Sequence, residues 1–157
     1  MAPIPDPATQ PFSRDKNADP VLPDAASQDE KQCLTTAIYF EARGESAKGQ
    51  QAVAEVIVTR ARTRGRPHSI CGVVYEDSQR KTGCQFSFTC DRASDRVRER
   101  AAWSRARRVA TSVMRTRGRV KPVARGATFY HANYVTPYWA SSMVKVAKIG
   151  SHIFYRP

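Results

Sequence analysis

Leu34-Thr-Thr-Ala-Ile-Tyr-Phe-Glu-Ala-Arg-Gly-Glu-Ser46 carries the strongest structural pattern of this sequence. Three of its apolar residues recur at helical spacing and would share one helix face: Leu34, Ala37 and Ile38. Gly44 is a natural residue at which such a helix ends. Together with a capping-box spacing upstream, the pattern predicts a helix over residues 27–43.

Glu41 continues the apolar stripe of this predicted helix into its last turn. A carboxyl group there is expected to be buried, and burial raises its pKa. The negative end of the helix dipole acts in the same direction. Both effects favour a protonated carboxyl near neutral pH, as a general acid requires. A structural ion pair with Arg43 or Arg60 is the alternative interpretation.

The remaining periodicity predicts a mainly helical α+β domain with short extended segments. A second helix is expected from a cap at Ser46 to about residue 65, and a third from Ser94 to Gly118. A short helix is expected over residues 139–148. Extended segments are predicted at 85–89, 127–131 and 153–155.

The first 30 residues differ from the rest in composition. They hold six of the ten prolines and carry six acidic residues against two basic ones. Proline lacks a backbone donor and fixes φ, so this segment disfavours both helix and sheet. We therefore predict a disordered tether over residues 1–30 and a catalytic domain over residues 31–157. No apolar run approaches the roughly 20 residues of a membrane span.

Four cysteines form an even set that allows three disulfide connectivities: Cys33, Cys71, Cys84 and Cys90. In one of these connectivities Cys84 and Cys90 close a short loop and Cys33 joins Cys71; the sequence leaves the choice among the three open. Close Cys-x₂-Cys pairs are absent from the sequence, so no zinc site or other metal is expected. Disulfides indicate an oxidising compartment, hence the periplasm or the cell exterior. Four reduced thiols in a cytosolic protein are the alternative.

The chain has a formal net charge of +12 at pH 7, which favours an anionic partner. Residues 92–121 alone hold eleven basic and two acidic residues. An anionic cell envelope is one such partner, and nucleic acid is the rival from another class. Few aromatic residues are interleaved in this segment, and no recognised nucleic-acid motif is present, so nucleic acid is not expected.

Several motifs together resemble the spore-cortex-lytic (SleB-like) cell-wall hydrolase family. The first is Ala37-Ile-Tyr-Phe-Glu-Ala-Arg-Gly-Glu-Ser46, followed by Ala52-Val-Ala-Glu-Val-Ile-Val-Thr-Arg60. The likeness continues in further segments: Cys71–Tyr75, Cys84–Asp91, Phe129–Ala132, Pro137–Ala140 and Ile149–Arg156. It covers nearly all of residues 33–156.

The resemblance implies a lysozyme-like, lytic-transglycosylase-like single domain with a small β-hairpin wall. It also implies cleavage of the β-1,4 bond between N-acetylmuramic acid and N-acetylglucosamine in peptidoglycan. The family's catalytic acid is the first glutamate of the Glu-Ala-Arg-Gly-Glu motif, which is Glu41 here.

Five residues are candidates for sugar binding in such a cleft. Gln85 and Ser87 offer hydrogen bonds from the segment expected to form the β-wall, although polar residues in turns often cap the backbone instead. Tyr130 and His131 resemble the aromatic position that faces the acid in lytic transglycosylases. Trp139 is suited to stack on a sugar face, or equally to lie in the core.

A two-carboxylate mechanism needs a second acid, and Asp91 is the best-placed candidate for it. Because no second carboxylate is obvious, a lytic transglycosylase is favoured over a muramidase that hydrolyses the same bond. A basic nucleic-acid-binding protein and a non-catalytic peptidoglycan-binding protein are the remaining alternatives. The expected protein is a monomer without cofactors that does not span the membrane.

Overall fold

The computed structural model describes residues 25–79, 85–91, 96–116 and 119–157. Its helices are α1 (Ala25–Ala42), α2 (Ala47–Arg60), α3 (Ile70–Val74) and α4 (Arg100–Thr116). Its strands are β1 (Phe129–Ala132), β2 (Val144–Ile149) and β3 (His152–Arg156). Two short 3₁₀ turns lie at Ser87–Thr89 and Ala140–Ser142. The predicted mainly helical α+β class is confirmed.

The core lies where α1, α2 and α4 pack against one another. The apolar stripe predicted for α1 is fully buried there: Leu34, Ala37 and Ile38. Ser46 caps α2 as predicted, since its hydroxyl accepts a hydrogen bond from the backbone N–H of Gly49 at 3.2 Å. The buried face of α4 is built from small residues, which allow close helix approach: Ala102, Ala106, Ala110 and Val113.

The start of α4 differs from the prediction of a helix beginning at Ser94. Residues 96–99 are not helical, and the helix begins at Arg100. The hydroxyl of Tyr39 accepts hydrogen bonds from the backbone N–H groups of Arg98 and Glu99, at 3.0 and 3.1 Å. The Tyr39 hydroxyl thus satisfies two backbone N–H groups that lie just before the first turn of α4. Ser94 and Gly118 lie outside the described residues.

The three strands form an antiparallel sheet in the order β1-β3-β2. The extended segments predicted at 127–131 and 153–155 are confirmed as β1 and β3, whose register pairs Tyr130 with Phe154. The short helix predicted over residues 139–148 is wrong, because β2 occupies residues 144–149 and pairs with β3. Gly150, at φ +56°, closes the tight connection between β2 and β3, and cross-strand pairing outweighs the local helical pattern.

The β-wall predicted at residues 85–89 is also wrong. Residues 87–89 form a 3₁₀ turn, in which the backbone N–H of Thr89 donates to the carbonyl of Phe86 at 3.0 Å. Phe86 and Phe88 are both buried, and the ring of Phe88 stacks on that of Phe40. The alternation of polar and apolar residues over 85–89 therefore reflects the packing of these two rings in the core. The small sheet is formed by the C-terminal strands β1, β2 and β3.

The amino-terminal end of α1 is fixed to α3. A carboxylate oxygen of Glu30 accepts a hydrogen bond from the backbone N–H of Cys71 at 2.9 Å. Residues 25–30, which were predicted to belong to the tether, are part of helix α1. The rest of the predicted tether, residues 1–24, lies outside the described residues. Across the described part of the chain, no helix combines the length and apolarity needed to cross a membrane.

The predicted disulfide between Cys33 and Cys71 is present and joins α1 to α3, with 5.2 Å between the two Cα atoms. Cys90 is disulfide-bonded as well. Cys84, which was expected to pair with it, lies outside the described residues. The first disulfide anchors the helix that carries Glu41.

Candidate functional site

Glu41 lies in the last turn of α1 and faces β1. The hydroxyl of Tyr130 donates a hydrogen bond to one carboxylate oxygen of Glu41, Oε2, at 2.8 Å. Both side chains are only partly accessible to solvent. Helix α1 supplies the carboxyl group and strand β1 supplies the hydroxyl that donates to it. The two residues are 89 positions apart in the sequence, so this hydrogen bond depends on how α1 packs against the sheet.

Burial raises the pKa of Glu41 above its ordinary value, although the Tyr130 hydrogen bond and the positive charge of Arg60 both lower it. The balance is a raised pKa, because loss of hydration is the largest of the three effects. Burial and the neighbouring Glu41 charge also raise the pKa of Tyr130. Tyr130 therefore remains a protonated donor.

Arg60 supplies positive charge close to this pair. It ends α2 and is only 2% exposed. Its Nε donates to the carbonyl of Thr128 at 2.6 Å, and its guanidinium lies over the rings of Phe86 and Phe129. Burial lowers the pKa of Arg60 to about 10, so it stays protonated at neutral pH. Among the described residues, its Nη1 has no hydrogen-bond partner.

The structural alternative for Glu41 was an ion pair with Arg43 or Arg60. Arg43 instead pairs with Glu99 at 3.3 Å, and its guanidinium lies over the Tyr39 ring. Arg60 acts on Glu41 as a nearby charge. Glu41 is thus held by a tyrosine hydroxyl in the field of one arginine.

Gln85 is connected to this site through Arg66. A guanidinium nitrogen of Arg66 lies 3.5 Å from the side-chain oxygen of Gln85, and the same guanidinium lies over the ring of Phe129. Ser87 is exposed at the start of its 3₁₀ turn. Their roles in substrate binding stay predictions.

His131 and Trp139 lie on the other face of the sheet from Tyr130. Neighbouring residues of a strand point to opposite faces, and the Nε2 of His131 lies 3.0 Å from the hydroxyl of Tyr155. The Trp139 ring contacts those of Phe129, His131 and Tyr155, with centroids 5.3 to 5.7 Å apart. The structure thus separates Tyr130 from His131, while Trp139 stands in an aromatic cluster connected to the site through Phe129.

Asp91 was the predicted candidate for a second acid, and Glu76 is another carboxylate in the same part of the chain. Asp91 is exposed. Glu76 lies 3.6 Å from a guanidinium nitrogen of Arg66 and adds to the field at Arg60. Within the described ranges, the polar groups that act on the pKa of Glu41 are Tyr130 and Arg60, and neither is a carboxylate. No cluster of His, Cys, Asp or Glu suited to a metal ion occurs in those ranges.

Two residues near the site were not predicted to belong to it: Glu45, which was interpreted as a solvated or cap-supporting residue, and His152. Both carboxylate oxygens of Glu45 lie 3.3 Å from the backbone N–H of Ser151 in the β2–β3 turn. A Cβ on Gly150 would collide with the Glu45 carboxylate. His152 is buried, and its ring centroid lies 5.0 Å from that of Tyr130. Glu45 therefore holds the turn before β3, the strand that packs against Tyr130. The spacing of four residues between Glu41 and Glu45 was the sequence pattern that could have placed Glu45 near the site.

A mainly helical domain with a small antiparallel sheet and a partly buried glutamate at the end of a core helix has the lysozyme-like fold. More specifically, the chain belongs to the cell wall hydrolase family, whose model matches residues 44–155. The match begins three residues after Glu41.

Two solved structures are similar over most of the chain. The catalytic domain of the Bacillus cereus SleB protein matches with a TM-score of 0.62 and 26% identity, covering 89% of this chain and 99% of that one. The catalytic domain of the germination-specific lytic transglycosylase SleB from Bacillus anthracis matches with a TM-score of 0.60 and 26% identity, covering 86% and 100%. The resemblance to SleB-like enzymes is thereby confirmed.

Curated relatives are described as spore cortex-lytic enzymes. The spore cortex-lytic enzyme of Bacillus cereus is 27% identical over 134 residues, covering 85% of this chain and 46% of the relative. That of Halalkalibacterium halodurans is 30% identical over 134 residues, covering 85% of this chain and 36% of the relative. The chain thus spans less than half the length of these relatives.

Proposed function

We propose that this protein cleaves the glycan strands of peptidoglycan at the β-1,4 bond between N-acetylmuramic acid and N-acetylglucosamine, as a lytic transglycosylase with Glu41 as acid and base. The observation that carries the proposal is the partly buried Glu41 carboxyl, with its raised pKa and its hydrogen bond from Tyr130. Membership of the cell wall hydrolase family supports the substrate class.

In the first step, protonated Glu41 gives its proton to the glycosidic oxygen as the bond to the muramic C1 breaks. Tyr130 donates to Oε2, which leaves Oε1 as the oxygen suited to carry and transfer the proton. As Glu41 becomes a carboxylate, the Tyr130 hydrogen bond and the Arg60 charge stabilise the negative charge. The same two groups that lower the pKa thus assist departure of the proton.

In the second step, the Glu41 carboxylate accepts the proton of the muramic 6-hydroxyl while that oxygen bonds to C1. The product is a 1,6-anhydro ring, and Glu41 returns to its protonated form. Ring closure within one sugar is intramolecular, an advantage of up to roughly 7–11 kcal/mol in ideal cases. No second carboxylate is needed, in keeping with the groups that act on Glu41.

A muramidase that uses Asp91 as its second carboxylate is the competing enzyme. Asp91 is exposed, and within the part of the chain that the structure describes no acid is among the groups that act on the pKa of Glu41; both observations favour the single-acid route. The Cys33–Cys71 disulfide favours the periplasm or the cell exterior as the place of action. There the basic chain would meet an anionic envelope, and we propose that it acts as a monomer.

The test is digestion of purified peptidoglycan sacculi with mass spectrometry of the released muropeptides. Glu41→Gln should lower release by about 10²–10⁴-fold, the usual contribution of a general acid. Glu99→Gln removes an exposed carboxylate and serves as the matched control, with activity near that of the unmodified protein. Circular dichroism should show that both variants keep the helical fold.

The products separate the candidate functions. Anhydro-muropeptides, one water lighter than reducing-end products, are expected. Reducing-end products together with loss of activity in Asp91→Asn would establish the muramidase instead. Wild-type turnover in Glu41→Gln would exclude Glu41 as the acid. Binding of sacculi without any release would indicate a non-catalytic protein, and salt-dependent binding of DNA without digestion would indicate a nucleic-acid binder.

A further inference from the structure

The outer face of α4 is strongly basic. The helix holds five arginines and no acidic residue, and all five are exposed: Arg100, Arg105, Arg107, Arg108 and Arg115. Within the described ranges, the ion pairs lie elsewhere, at Arg43–Glu99 and Arg66–Glu76. The buried face of α4 is formed by its small residues, so these exposed arginines are available to a partner.

This face is concave where α4 meets the start of α2. A cavity of about 340 Å³ lies there, and it adjoins a second, shallower one of about 580 Å³ along α4. The two cavities share Arg108 and Ser112, so they form one groove. The first cavity lies beside Glu45, in the loop that follows the helix carrying Glu41. The groove therefore begins at a residue four positions along the chain from Glu41.

The lining of the first cavity has mixed chemistry. Arg105 and Arg108 provide guanidinium groups for carboxylates. The Glu45 carboxylate already accepts from the Ser151 N–H, and its remaining lone pairs can accept from an ammonium group. Ser112 offers a neutral hydroxyl, whereas the side-chain amides of Gln50 and Gln51 already donate within the protein, to the carbonyl of Ala42 and to Glu55. Small aliphatic side chains complete the wall: Ala47, Val109 and Val113. A ligand that fits carries carboxylates, a free amine and short aliphatic groups.

We infer that this α2–α4 groove binds the peptide stem attached to the glycan strand. The inference rests on the proposed function, because it takes peptidoglycan as the substrate. A stem peptide bears carboxylates for Arg105 and Arg108, and a free amine on a diamino acid residue faces Glu45. Its methyl groups pack on the valines. The groove thereby selects strands that carry peptides over bare glycan.

A polymer of phosphates, nucleic acid included, fits this lining less well. Its charges are all negative, and Glu45 in the cavity wall repels them. The described part of the groove also offers no aromatic side chain on which a base would stack. The stem peptide, with both signs of charge, matches the lining better.

The experiment compares two substrates and two double variants of the full chain. The substrates are glycan strands that carry stem peptides and the same strands after an amidase has removed them. The groove variant is Arg105→Gln with Arg108→Gln. The matched control is Arg100→Gln with Arg119→Gln, which removes the same charge from exposed residues that do not line either cavity.

We expect the ratio of kcat/KM on stem-bearing strands to kcat/KM on bare strands to fall on the order of tenfold in the groove variant, through KM. The control should keep the wild-type ratio. An unchanged ratio in the groove variant overturns the inference. An equal fall in both variants also overturns it, since it shows diffuse attraction by net charge.

A binding measurement separates failure of this inference from failure of the proposed function. Calorimetric titration with the free stem tetrapeptide should give binding to the wild-type chain that is lost in the groove variant. If the protein cleaves neither substrate, the proposed function fails, and this titration still decides the groove. Binding of a single-stranded oligonucleotide, but no stem peptide, through Arg105 and Arg108 would assign the groove to nucleic acid and overturn the inference.

Discussion

Tyr130→Phe is the most informative change to the site because it removes one atom that contacts Glu41. The hydroxyl of Tyr130 donates to Glu41 Oε2 at 2.8 Å and lowers the pKa of a carboxyl group whose burial raises it. Without this donor, the ionised form of Glu41 loses its hydrogen bond, whereas the protonated form loses little. The pKa of Glu41 must therefore rise further in the variant.

The magnitude follows from the strength of such a bond. A hydrogen bond to a charged group contributes about 1.5–3 kcal/mol, and the lower end applies here because both side chains retain some solvent access. About 1.4 kcal/mol corresponds to a tenfold change in an equilibrium constant. The acid dissociation constant of Glu41 should thus fall about tenfold in Tyr130→Phe.

The assay is the pH dependence of kcat/KM for release of soluble muropeptides. The first step needs protonated Glu41, so activity falls as pH rises through its pKa. In Tyr130→Phe this descending limb should move to higher pH, even where the maximal rate is reduced. Tyr134→Phe, at an exposed tyrosine, is the control and should leave the limb in place. A limb that stays fixed or moves to lower pH in Tyr130→Phe would refute the reasoning.

Two further predictions concern the frame around the site. Replacing both Cys33 and Cys71 by serine removes a cross-link between residues 38 positions apart and should lower the free energy of unfolding by about 4 kcal/mol. Urea denaturation measures this loss, and an unchanged free energy of unfolding would contradict the prediction. Gly150→Ala should destabilise the fold by about 0.5–1.5 kcal/mol more than Gly126→Ala, measured in the same way, because the Cβ displaces the end of the Glu45 side chain from its hydrogen bond with Ser151. Both glycines have positive φ, but only at Gly150 does a Cβ meet Glu45, so equal losses would exclude the contact as a cause.

Local patterns in the sequence predicted the helical frame correctly. The apolar stripe of α1 is a short-range signal with a period of 3.6 residues, and it identified the buried face on which Glu41 lies. The Ser46 cap of α2 is equally local, since its hydroxyl binds a backbone N–H three residues later. Such features depend on neighbours within one turn, and those neighbours are read directly from the sequence.

Features that depend on distant partners were predicted less well. Residues 144–149 have a composition compatible with helix or strand, and pairing with β3 decides for the strand. Residues 85–89 alternate as a strand would, but no strand of the described residues pairs with them, and their two phenylalanines enter the core. The backbone just before α4 likewise has a distant partner, since the N–H of Arg98 donates to the hydroxyl of Tyr39, 59 residues away.

The candidate site shows the same division. The sequence by itself determined that Glu41 ends a core helix, that Cys33 and Cys71 can be joined, and that the chain is strongly basic. Only the tertiary structure decided that Tyr130 rather than His131 faces Glu41, and that Arg60 supplies the nearby charge. The reason is physical: adjacent strand residues point to opposite faces, and which face meets α1 depends on packing between elements far apart in the chain.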